Sequence, residues 1–200
     1  MMSAFKILAV IILFTITAFV YYGCGCACET AEQADIPASV IRNANQVIIS
    51  QTGNDFFNEY VSLDMKRSKV ISPDYYLVYR IIMPDKPYVN EVIEFTVDKG
   101  GNLNREFSIK GIPDCLNADC HFSVDEEKAI SIAEERGLEK GIKEWKTGFT
   151  WNEKYNRYVW YVLSTLDESD NTQGGRSSGK EIIIDANTGE VLSVNEWNVR

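Results

Sequence analysis

Histidine is almost missing from this chain: His121 is the only one in 200 residues. A single imidazole excludes an H-E-x-x-H zinc site, and no G-x-S-x-G elbow accompanies it to suggest a serine hydrolase. A Ser-His-Asp triad is a spatial arrangement and is not excluded by spacing. His121 directly follows Cys120, however, in a segment that reads as a linker loop. Neither a Walker loop nor a G-x-G-x-x-G fingerprint is present, so no nucleotide cofactor is implied. Carboxylates are plentiful, and no pair of them stands out at a spacing that assigns glycosidase chemistry.

Basic residues are also scarce, 20 Lys and Arg against 29 Asp and Glu. Lys6 is the only charged residue before Cys24, so a chain without that segment has 19 basic and 29 acidic residues, a net charge of -10. Such a surface repels phosphate backbones and anionic lipid headgroups. Nucleic acid is excluded as a partner, and any membrane attachment must come from the N-terminus. Hydrophobic content of 45% and charged content of 24% are those of a globular chain.

That N-terminus supplies the one long apolar run, Ile7 to Tyr22, behind Lys6. A short basic start and a greasy stretch of this size form an export signal. With Ala4 and Phe5 counted, the stretch approaches the roughly 20 apolar residues of a membrane-spanning helix, so residues 1–23 are expected to be a signal peptide or a membrane anchor. Gly23-Cys24-Gly25-Cys26-Ala27-Cys28 follows, and then the polar tether to residue 36. A small residue and a Cys at the end of an apolar run resemble a bacterial lipoprotein signal, in which the first Cys of the mature chain carries the lipid. Cys24 is the best candidate, with Cys26 and Cys28 as alternatives. C-x-C-x-C without a nearby His is a weak metal-ligand set, and no metal is expected. The expected location is extracytoplasmic, membrane-anchored or secreted.

Export permits disulfides. Cys115 and Cys120 are separated by four residues, enough to close a small loop, and they are expected to pair. A redox-active pair would call for the tighter C-x-x-C spacing.

The remainder divides at this segment into two similar parts, 37–110 and 123–200, with 111–122 as a disulfide linker. In the first, Val40, Ile41, Ala44, Val47 and Ile48 share one helical face. In the second, Ser123 followed by Glu126 has the spacing of a capping box. Ala129, Ile130, Ile132 and Ala133 then follow, with Gly137 as the stop. Strands are expected at roughly 56–71, 75–83, 89–97 and 103–109, and again at 142–151, 157–166, 180–184 and 191–197. Asp98 to Gly101 and Asp185 to Gly189 read as matching turns between antiparallel strands. Asp185 to Glu190 also looks like half of a calcium loop, but it lacks the distant bidentate Glu. Residues 167–179 read as a polar hairpin loop. The fold class expected from this pattern is α+β, two tandem units of one helix packed on a short antiparallel sheet.

The second part, with its Asp125-Glu-Glu-Lys-Ala-Ile-Ser-Ile-Ala helix start, its Tyr158-Val-Trp-Tyr-Val strand and its Ile-Ile-Ile-Asp185-Ala-Asn-Thr-Gly189 hairpin, resembles a PepSY domain over about residues 123–197. The first part resembles the same module more loosely, its Asp98-Lys-Gly-Gly101 turn departing from the Thr-Gly form. The resemblance implies a protein without catalytic residues, of a kind found in peptidase propeptides and exported proteins, where inhibition or binding is the proposed role.

On an alternating strand, Tyr158, Trp160 and Val162 face one way and Val159, Tyr161 and Leu163 the other. Both faces are apolar or aromatic, and one helix covers only one. Either the two halves pack together over the second face, or part of it stays open to receive a peptide or protein. Trp151, Tyr158 and Trp160 are the candidate partner-binding residues. The expected function is a non-catalytic exported binding or inhibitory module. The alternatives are a structural component of an envelope assembly and a hydrolase with a site that no motif reveals.

Overall fold

The computed structural model describes residues 35–104, 109–116, 120–169 and 175–199. Helix α1, Ala38–Thr52, forms where the apolar residues recur at helical spacing, and Val40, Ala44, Ile48 and Thr52 make its buried face. It ends at Gly53, whose N–H returns to the Ile49 carbonyl at 2.8 Å. Helix α2, Asn54–Tyr60, follows at once, with Phe56 and Tyr60 stacked edge to face one turn apart.

Two short strands, β1 (Val61–Leu63) and β2 (Lys69–Ile71), then line the same edge of β3 (Asp74–Ile82). Between them the chain leaves the ladder at Asp64 and returns at Ser68. The central strand keeps its bonds across the gap. The Asp64 N–H donates to the Val78 carbonyl at 2.8 Å, and the Ser68 hydroxyl accepts the Val78 N–H at 3.1 Å. On the other side of β3 lies β4 (Asn90–Val97), antiparallel from Tyr75↔Val97 to Ile82↔Asn90. Leu103 and Lys110 form isolated bridges to the far side of β4.

Helix α3, Glu126–Glu135, is capped by the Asp125 carboxylate, which accepts the Lys128 N–H at 2.8 Å. The Ser123 capping box does not form, because the Ser123 hydroxyl donates to the Asn187 carbonyl instead. An antiparallel meander completes the chain: β5 (Lys146–Asn152), β6 (Arg157–Ser169), β7 (Arg176–Asp185) and β8 (Val191–Val199), paired in that order.

This architecture corrects the α+β expectation of two units with one helix each on a short sheet. Among the described residues strand outweighs helix, 42% to 21%. The described residues hold two four-stranded antiparallel sheets and three short helices, two of which precede the first sheet. The reason is one of length. Strand β6 has 13 residues and spans about 44 Å, whereas α3 has 10 residues and spans about 15 Å. A helix that short cannot roof a sheet that long. The stretch 56–71 also fails as a single strand, since Phe56–Tyr60 is helical and 64–68 is a turn. Part of the supposed loop at 167–179 is paired strand, in register to Ser169↔Arg176.

Residues 34–200 form one compact unit, and one apolar cluster runs through both sheets. Alternation selects its members: Leu77, Tyr79 and Ile81 on β3, Ile93, Phe95 and Val97 on β4, Tyr158, Trp160 and Val162 on β6, and Ile182 and Ile184 on β7. Val78, Val159 and Ile183, buried on the opposite faces, stay outside it. Tyr88, in the turn between β3 and β4, sits against both Phe149 (5.4 Å between ring centres) and Trp160 (5.1 Å).

Candidate functional site

The three aromatic candidates do not share one environment. Tyr158 and Trp160 are each 2% exposed. The Tyr158 hydroxyl donates to the Gly111 carbonyl at 2.8 Å, and the Trp160 indole N–H to the Val124 carbonyl at 2.8 Å. Phe149 stacks face to face on Tyr158, with centres 5.3 Å apart, and meets Trp160 edge-on. These rings are internal cement, and a partner cannot reach Trp160 without opening the core. Trp151 differs. It is only partly buried, lies edge-on to Tyr158 at 5.1 Å, and borders a concavity of about 490 Å³.

This hollow forms where the linker meets the two hairpin ends of the second sheet. Trp151 and Phe122 give it aromatic walls, Pro113 and Asp114 come from the linker, and Asn156, Arg157, Asp185, Asn187 and Thr188 supply its polar rim. The Asp185 turn is held from within, its Oδ1 accepting the Asn187 and Thr188 N–H groups at 2.8 Å each. Its Oδ2 takes the Arg157 guanidinium at 2.7 Å. Burial works against ionisation of Asp185, but the Thr188 N–H, Arg157 and the Asn187 N–H outweigh it and hold its carboxyl below the usual range. Asp185 is therefore a charged, fully engaged turn residue. The matching Asp98 turn repeats the device, with N–H groups of Gly100 and Asn102 on its Oδ1, and Gly101 and Gly189 both take positive φ, 80° and 76°. Sequence reasoning missed Arg157, whose ion pair spans 28 positions and leaves no local signal.

Glu91 is a second group that no motif marks. It lies on β4, partly buried, and meets the end of β5. Burial pushes its carboxyl up from the ordinary range, against hydrogen bonds from the Trp151 N–H and the Thr150 hydroxyl. The folded state thus holds the Glu91 proton more tightly than the unfolded chain does. Stability from this group is fully present below the unfolded value and is lost as pH rises through the folded one. Glu91→Gln removes that loss. Thermal melting from pH 3 to pH 7 is expected to show variant and parent equal at the acid end, with the variant increasingly the more stable toward neutrality. A melting difference that does not change with pH refutes this. Asp185 acts in the opposite sense: its stabilisation is present above the unfolded value and is lost as pH falls through the lowered one.

Cys115 and Cys120 are bonded, with Cα atoms 5.0 Å apart. The Gln51 carbonyl at the end of α1 accepts the Cys115 and Leu116 N–H groups, fixing the middle of the linker to the first half. His121 is exposed beside this bond. Among the described residues no three His, Cys, Asp or Glu side chains converge as a metal site, and no helix is long and apolar enough to cross a membrane. The signal or anchor segment and the lipid candidate Cys24, with Cys26 and Cys28, lie outside the described residues. The chain matches no protein-family model and no curated protein sequence.

Proposed function

We propose that this chain is a non-catalytic exported protein of the cell envelope, a binding or inhibitory module directed at a peptide or a peptidase. The observation that carries this reading is the Trp151 hollow. It offers an aromatic wall beside a half-exposed guanidinium, on a rim whose Asp185 and Arg157 are already committed to each other. A guanidinium held in place by Asp185 keeps further N–H groups with which to orient a ligand's carboxylate or carbonyl. The similarity of residues 123–197 to a PepSY domain supports a peptide-directed role, and the apolar leader supports export.

The test is a titration of the full-length protein with a random octapeptide library, alongside inhibition assays on a panel of secreted peptidases. Trp151→Ala is expected to weaken binding about tenfold, in line with an aromatic anchor of roughly 1.4 kcal/mol, in a protein that still folds cooperatively but melts lower for want of the ring contact with Tyr158. Absence of both binding and inhibition by the parent protein would sink the reading. The leader is tested separately by intact mass of protein taken from its native membrane. A mass increased by acyl chains on a chain beginning at Cys24 is expected, and the mass of the complete unprocessed chain eliminates lipid at that position.

A further inference from the structure

The borders of the two sheets are not equally protected. In the first, β1 and β2 occupy one side of β3, and Leu103 and Lys110 bridge the outer side of β4. In the second, Glu91 of β4 lies against Thr150 and Trp151 on the border strand β5. Strand β8, at the opposite border, is paired with β7 alone among the described residues. The Tyr155 hydroxyl reaches its start, at the Leu192 carbonyl, 3.4 Å away. Beyond that point no other strand of the described residues pairs with its outer side.

Border strands are normally blunted by lysine, proline or a bulge, because their outward N–H and C=O groups template another strand. From Ser193 to Val199, β8 has no proline, no lysine and no break in register with β7. Its single charge there is Glu196, and Val194 and Val199 are each 58% exposed. Val194 and Glu196 point to one face of the sheet, beside Ile182 and Lys180.

Charge decides what fits. A second copy would bring the same net acidity. Antiparallel self-pairing centred on Glu196 sets the two carboxylates directly opposite, and pairing centred on Asn195 leaves them diagonal neighbours about 7–8 Å apart. Both are repulsive, whereas a cationic strand is attracted. We infer that the outer border of β8 accepts an extended cationic peptide as a further strand of the second sheet, with an apolar side chain beside Val194 and a Lys or Arg two positions along beside Glu196. This rests on the peptide-binding reading above but uses residues remote from the Trp151 hollow.

The probe is the labelled octapeptide Thr-Val-Thr-Lys-Thr-Val-Thr-Lys, followed by fluorescence anisotropy with the full-length protein. Its controls are the same peptide with alternate backbone N-methyl groups and a peptide with Glu in place of Lys. Binding of the first alone is expected, weakened at least about tenfold by Glu196→Lys or by Val194→Lys and unaffected by Trp151→Ala. Both substitutions are at exposed positions, and unchanged melting curves confirm folding. Equal binding of the N-methylated peptide overturns the inference. So does binding that responds to Trp151→Ala but not to Glu196→Lys, although peptide recognition as such then survives. A dimer seen by light scattering and abolished by Val194→Lys also overturns it, giving the border to a second copy. If this peptide and the random library both fail to bind, the inference and the broader reading fall together.

Discussion

Gly111→Ala is expected to cost more than about 4 kcal/mol, most of the stability of a domain at the lower end of the ordinary range. Gly111 has φ +78°, a region that L-residues enter at a cost of about 1 kcal/mol. Steric overlap costs more. An added Cβ lies 2.1 Å from the Val92 carbonyl oxygen and 3.1 Å from its carbon. Both atoms belong to the backbone of β4, which is paired along its whole length with β3, so the linker is the side that must shift. The displacement also removes the Gly111 carbonyl from the Tyr158 hydroxyl, leaving a buried donor unpaired at a further cost of about 1–3 kcal/mol. Urea unfolding followed by tryptophan emission measures it, and a midpoint within experimental error of the parent contradicts the close approach.

Trp160→Ala carries the second large effect, expected at about 3–5 kcal/mol from the lost side chain alone. The cavity opens beside Tyr88 and Phe149, and it orphans the Val124 carbonyl that the indole N–H satisfies. Trp160→Phe separates the two parts, because it restores most of the ring volume without the donor. It is expected to recover more than half of the loss in melting experiments. Equal losses in Ala and Phe variants place the weight on the hydrogen bond, and no loss in either contradicts burial of the ring. Any effect of Trp160→Ala on a partner must accordingly be read as a folding effect.

Local order was readable where one period dominates. Val40, Ala44 and Ile48 mark the buried face of α1, and the alternation in β3, β4, β6 and β7 places their strands within a few residues of the observed bounds. Phe56 and Tyr60 misled, since two aromatics four apart suit a helical turn as well as a strand. Ser123 and Asp125 both offer a capping oxygen to α3, and only the tertiary bond from Ser123 to Asn187 decides between them. The architecture was not readable, because the number of helices per sheet depends on how far β6 and β7 extend. That extension runs through Asp167-Glu-Ser169, polar residues that look like a loop until Arg176, Ser177 and Ser178 pair with them. Of the candidate site, Trp151 was visible as an aromatic. Its hollow was not, for Asp185, Asn187 and the linker reach it from distant parts of the chain.

The bond between Cys115 and Cys120 has a practical corollary. The peptide links between those two sulfurs are bypassed by a second covalent route, while Gln51 grips one end and Asn187 accepts the Phe122 N–H at the other. A nick there would sever the main chain without releasing either piece, and only a reducing gel would reveal it. The same short stretch is the natural place to graft an epitope or a cleavage sequence.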